Sequence, residues 1–253
     1  MAVIQTKEWL NDNFSNPVKI CGSIMDTFSE DRPDRVYEYL QQHGMYKPDA
    51  WAKKSFEFLV KNDAWSKAEQ LFEKYKKLWG GPDIPVYLFP MKAVNGFLRR
   101  RENKAGLAFR DKLFLFLHQG YDDKEMEAVM VHEYHHVCRL QKKEAKEETA
   151  GLLDSMIMEG LAEHAVEKHV GKEYLANWTK LYSDKEMEQY WKKYLKGAAE
   201  IPRQHPLHDK LLFGKRPYPS MMGYSTGFYL VKKKGFIPIS KTFTIESTEF
   251  LPE

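Results

Sequence analysis

The sequence is poor in cysteine. Only Cys21 and Cys138 occur among 253 residues, and no Cys-x-x-Cys pair exists. A disulfide scaffold and a cysteine-ligated metal knuckle are both excluded. No apolar run approaches the ~18 residues of a membrane span. The first residues, MAVIQTKEWLNDNF, show no basic stretch leading into an apolar one, so no secretory signal is expected. Charge of one sign is also lacking: 39 Lys and Arg face 36 Asp and Glu, a net +3. The basic runs Arg99-Arg100-Arg101 and Lys232-Lys233-Lys234 are short and far apart, and read as solvated surface. No repeat or low-complexity segment appears. These absences argue for a cytoplasmic protein with neither a nucleic-acid nor a membrane partner.

What is present is globular in character: 43% of residues are hydrophobic and 14% aromatic, enough for a sizeable core. Residues 1 to about 80 carry apolar and aromatic residues at three- and four-residue spacing. TKEWLNDNF, VKICGSIMDTF, DRVYEYLQQHG and the long SFEFLVKNDAWSKAEQLFEKYKKLW all read as helical. Gly80-Gly81-Pro82 ends that region. IPVYLFP (84–90), AGLAF (105–109) and KLFLFLH (112–118) are short and strand-like. Asp122 and Glu125 form a predicted capping box for a helix over about 123–142. Further helices are predicted over 148–168, 184–197 and around GYSTGFYLVKKKG. The order is helices, a small sheet, then helices, an α+β layout. The expected organisation is a helical N-terminal region, 1–80, followed by one domain, 81–253.

Chemistry concentrates in VMVHEYHHVCRL, residues 129–140. His132, Glu133 and His136 form H-E-x-x-H. Residues four apart share one face of a helix, so both imidazoles can turn toward a single Zn²⁺ with Glu133 beside them. Val129 and Leu140 continue the same stripe, which makes it the inward face. His135 takes a supporting or surface role. Such a site needs a third protein ligand. In TAGLLDSMIMEGLAEHAVEKHV, Leu152 and Met156 define an apolar face whose next members are Glu159 and Glu163. A carboxylate on such a face is costly unless paired or bound to a metal. Glu159 is the candidate ligand, and Glu163, one turn on, the acceptor for a ligand histidine's N–H. Cys138 points elsewhere on its helix and reads as a small buried residue. His118 and His164 read as ordinary polar residues.

HExxH with the downstream E-G-L-A-E of 159–163 resembles the gluzincin peptidases. That segment is similar to the N-E-G-F-A segment of zinc aminopeptidases, with Met158 in place of the Asn. The spacing of its acids also resembles the thermolysin-like pattern. HEYHHVCRL, EGLAEH and GYSTGFYLV together look most like the YjaZ-like family of predicted zinc-dependent proteases from bacilli. The resemblance implies a mostly helical zincin-like fold, with a small β-sheet packed on the HExxH helix. It implies one zinc per chain, held by His132, His136 and Glu159. It further implies hydrolysis of peptides or unfolded protein through a zinc-activated water, with Glu133 as general base. The oxyanion donor is expected from Tyr224, Tyr229, His205 or His208. Tyr224, between two glycines ahead of an apolar helix, is the leading candidate, and a core aromatic is its competing reading. His205 and His208, in a Pro-containing loop, read as surface residues. By analogy with zincin folds, the strand Gly106–Phe109 could pair with an extended peptide. The competing function is a non-catalytic zinc-binding or interaction protein on the same scaffold, against which the intact Glu133 argues.

Overall fold

A computed structural model describes residues 1–93, 104–143 and 150–252. The Arg99-Arg100-Arg101 run lies outside the described residues. The chain forms two compact units, Met1–Val137 and Cys138–Glu253.

The first unit opens with five helices: α1 (Thr6–Asn13), α2 (Pro17–Gly22), α3 (Pro33–His43), α4 (Ala50–Lys61) and α5 (Ala64–Trp79). Proline at the first turn starts α2 and α3, where its missing N–H costs nothing. Asp49 caps α4 by accepting from the Ala52 N–H at 2.8 Å. The long helical stretch expected after Ser55 is broken between α4 and α5. Asp63 there takes a left-handed conformation (φ 53°), and the Asn62 side chain turns back to the Phe58 carbonyl at 2.8 Å. Short polar side chains that bond their own backbone make this break local. Gly80, at φ 58°, then ends α5. Phe56, Trp65, Phe72, Tyr75 and Trp79 are buried.

Among the described residues the sheet has three strands in the order β1 (Val86–Pro90), β3 (Leu113–Leu117), β2 (Lys104–Ala108). Strand β1 runs parallel to β3 with Val86 opposite Leu113, and β2 runs antiparallel to it with Gly106 opposite Leu115. The central β3 and β1 are buried throughout, as their unbroken apolar runs require. The N-terminal segment covers the far side of β1: the Ile4 N–H donates to the Val86 carbonyl at 2.9 Å, and the Val86 N–H to the Ala2 carbonyl at 3.0 Å. Among the described residues, β2 is the other edge.

Helix α6 (Asp123–Lys142) follows, and the division between the units falls inside it. Its start is the expected capping box. The Glu125 N–H donates to Asp122 Oδ1 at 2.7 Å, and the Asp122 N–H to Glu125 Oε2 at 3.0 Å.

The second unit is helical: α7 (Leu152–His169), α8 (Asp184–Tyr190), α9 (His208–Leu212), α10 (Met222–Lys233) and α11 (Ile239–Thr242). Helix α7 begins at Leu152 because the chain at 199–201 takes its first N–H groups, Leu152 to the Ile201 carbonyl and Leu153 to that of Ala199, each at 2.9 Å. Helix α8 continues into a wider turn over Trp191–Leu195 that buries both end residues. Helices α7 and α10 touch backbone to backbone. A Cβ on Gly160 would lie 2.6 Å from the Gly227 carbonyl oxygen, and one on Gly227 2.0 Å from that of Met156. Arg139, buried, donates to the carbonyls of Thr242 at 2.6 Å and Ile245 at 2.9 Å, fastening the C-terminal segment. Burial lowers its pKa to about 10, against the raising effect of Asp154 and Glu246. The architecture is the expected α+β, mostly helical with one small sheet. Among the described residues, no helix is long and apolar enough to cross a membrane.

Candidate metal centre

Helix α6 forms where apolar residues recur at helical spacing between a capped start and a basic last turn (Arg139, Lys142). On it, the Nε2 atoms of His132 and His136 lie 3.0 Å apart, with the rings nearly perpendicular at 88°. His136 is buried and His132 half-buried, with Val129 buried on the same stripe. Two imidazole nitrogens facing one point at this separation suit a shared cation or a shared proton. Glu133, 9% exposed, lies against β2 at Gly106.

His135 is not at the surface. It is buried, with its ring edge-on to Trp79 at 6.1 Å between centroids, because the face of α6 next to the stripe also packs inward. Cys138 is buried, as expected. Cys21 is buried too, and burial pushes its thiol up to about 12, so it is no nucleophile at neutral pH.

On α7, Leu152 and Met156 are fully buried, Glu159 is half-buried, and Glu163 is 4% exposed. Glu163 Oε2 accepts from the Ala176 N–H at 2.8 Å, which compensates part of its burial. Tyr224, in the first turn of α10, is half-buried. Its ring packs edge-on against Trp178 at 5.2 Å and tilted against Phe213 at 5.5 Å. Tyr229 is half-buried and His205 exposed. His208 departs from expectation: it is 1% exposed. Its Nε2 lies 3.0 Å from Ser155 Oγ and its Nδ1 3.0 Å from Asp209 Oδ1. As the first residue of α9 it turns inward beside α7, and the polar pair makes burial tolerable. The bonding order Ser–His–acid is that of a nucleophilic hydrolase, but an imidazole this enclosed leaves no room for substrate. His164 Nε2 lies 3.2 Å from the Ile237 carbonyl, and His118 Nδ1 contacts that of Gln119. Burial lowers the His118 pKa.

His132, His136 and Glu159 each offer one ligand atom, and these atoms all lie within 4.8 Å of one another, so the trio could hold a metal ion. Two imidazoles and one carboxylate form a donor set that fits zinc, which takes nitrogen and oxygen ligands at about 2.0–2.2 Å.

A family model described as "Predicted Zn-dependent protease (DUF2268)" matches residues 64–251, a span that contains all of these side chains. The chain belongs to that family. Among curated proteins, this DUF2268 chain is 35% identical over 250 residues to "Uncharacterized protein YjaZ" of Bacillus subtilis (strain 168). The alignment covers 97% of the chain and 95% of the relative. No solved structure matches it. Gly106, against which Glu133 lies, is a residue that motif spacing does not single out. The available signal is a glycine inside a strand, which marks close approach by another group.

Proposed function

We propose that this protein is a gluzincin-type, zinc-dependent peptidase of the cytoplasm, acting on peptides or unfolded protein. In this reading His132, His136 and Glu159 hold one zinc per chain, and Glu133 is the general base. The observation that carries it is the 3.0 Å approach of the two Nε2 atoms, with a carboxylate side chain on the residue beside the first. A purely structural metal site has no use for an acid there. Zinc, when bound, acts as a Lewis acid that polarises a substrate carbonyl and eases the deprotonation of water. Glu133 takes the proton from water as the carbonyl is attacked and returns it to the leaving amine. Glu163 orients a ligand imidazole, with the Ala176 N–H fixing one of its oxygens. Tyr224 donates its phenol to the developing oxyanion. Its place in the first turn of α10, half-buried rather than enclosed, supports that role.

Glu133→Gln tests this reading. Zinc content by mass spectrometry should equal that of the parent, while hydrolysis of fluorescein-labelled casein should fall by about 10²–10⁴. Hydrolysis undiminished in the variant would remove Glu133 as base. A zinc-loaded parent that cleaves neither casein nor a peptide library would favour the non-catalytic zinc protein instead.

A further inference from the structure

Gly106 sits in the middle of β2, paired with Leu115 of β3, in regular strand geometry. Its backbone is not in the left-handed region, so no conformational demand calls for glycine. Glycine inside a strand is also unfavourable, because it adds chain entropy to the unfolded state and has no side chain to pack. Something other than stability must be gained at this position. A Cβ built there would lie 2.2 Å from Glu133 Cγ, 2.5 Å from its Cδ and 2.6 Å from its Oε1. These three nearest atoms all belong to one side chain, whereas ordinary contact begins at 3.4 Å.

We infer that Gly106 is a positioning residue for the general base: the missing side chain on β2 is the space in which the Glu133 carboxylate is held. This rests on the reading of Glu133 as base. Any side chain at 106 displaces Glu133 by more than about 1 Å. The atoms that must move belong to one side chain and not to backbone, but Glu133 is buried and the nearest of them is its Cγ, so the carboxylate leaves its place at some cost in stability. A misplacement of about 1 Å in a catalytic group can cost about 100-fold in rate. The substitution that strand propensity favours is thus the one the chemistry forbids.

The test compares the zinc-loaded parent with Gly106→Ala, Glu133→Gln and the double variant. Gly106→Ala should keep its zinc and stay folded, with a thermal midpoint within about 8 °C of the parent's. Its KM for fluorescein-labelled casein should be unchanged and its kcat about 100-fold lower. The double variant should be no slower than Glu133→Gln alone, because the two changes act through one carboxylate. A readout without turnover is the affinity of the cobalt-substituted proteins for acetohydroxamate, followed by visible absorption. The hydroxyl proton of that ligand goes to the base, so binding should weaken about ten-fold in Gly106→Ala and in Glu133→Gln alike. Parent-like kcat and affinity in Gly106→Ala, with both lost in Glu133→Gln, overturns the role of Gly106 and leaves the base standing. Parent-like behaviour of Glu133→Gln overturns the base and Gly106's role with it. Should Gly106→Ala not fold, Gly106→Ala with Glu133→Ala removes every atom named above and should fold as the parent does. Its failure to fold would show that the methyl meets something else, and would overturn the inference.

Discussion

Replacing Glu127 with glutamine should reveal what holds α6 against α5 in the unit that carries the two histidines. Glu127 lies in the second turn of α6 with its side chain 6% exposed. Its Oε1 accepts from Lys74 at 2.5 Å and from the Tyr75 hydroxyl at 2.8 Å, and its Oε2 from Lys124 at 2.6 Å. Burial alone would push the carboxyl up. The hydrogen bonds from Lys124, Lys74 and Tyr75 outweigh it and hold the group at about 2, against an ordinary 4.5. That difference corresponds to about 3 kcal/mol. Both lysine side chains are about half exposed (53% and 52%), so solvent screening reduces the contribution to about 2 kcal/mol. The native carboxyl stays ionised down to about pH 2, while the unfolded chain takes up its proton near 4.5. The contribution is therefore complete above about pH 5 and is lost as pH falls from 4.5 toward 2. Glu127→Gln keeps the shape and removes the charge. In urea unfolding with a chelator present throughout, it should be less stable than the parent by about 2 kcal/mol at pH 7. The gap should shrink to about half at pH 3. A gap that is constant between the two pH values, or absent at pH 7, would refute this account of the network.

Gly227→Ala should destabilise the second unit by about 3 kcal/mol, because its Cβ would meet the Met156 carbonyl and neither backbone can yield without parting α7 from α10. Gly197→Ala, whose Cβ meets nothing, is the control and should stay within about 0.5 kcal/mol of the parent in the same urea titration. Asp122→Ala removes the side-chain acceptor for the Glu125 N–H and should cost about 1 kcal/mol, read from the thermal midpoint of the metal-free protein.

Local pattern accounts for what was legible in the chain. The bounds of α6 follow from Asp122, Glu125 and the apolar stripe, β1 and β3 from short apolar runs rich in aromatics, and β2 from the short apolar stretch ahead of Arg110-Asp111. His132 and His136 stand out because a four-residue spacing fixes side chains on one helix face whatever surrounds it. The expected inward face of Leu152 and Met156 is also found. Long-range packing decided the rest. Nothing near His208 announces that Ser155, 53 residues earlier, will accept it into the interior. His135 is buried because Trp79 comes to meet it. The α4–α5 break was visible only as Asn62-Asp63 inside a run whose apolar spacing continues across it. The role assigned to Gly106 needs a helix residue 27 positions on, and strand periodicity carries no trace of that meeting.

The proposed chemistry depends first on His132, His136 and Glu159 holding one zinc ion. The most direct measurement is metal content of the purified protein by mass spectrometry, beside His132→Ala and Glu159→Ala. About one zinc is expected in the parent, with its loss or marked weakening in both variants. A parent that takes up no zinc even after incubation with it would contradict the claim. Zinc that survives Glu159→Ala would contradict the assignment of that ligand and move attention to Glu163.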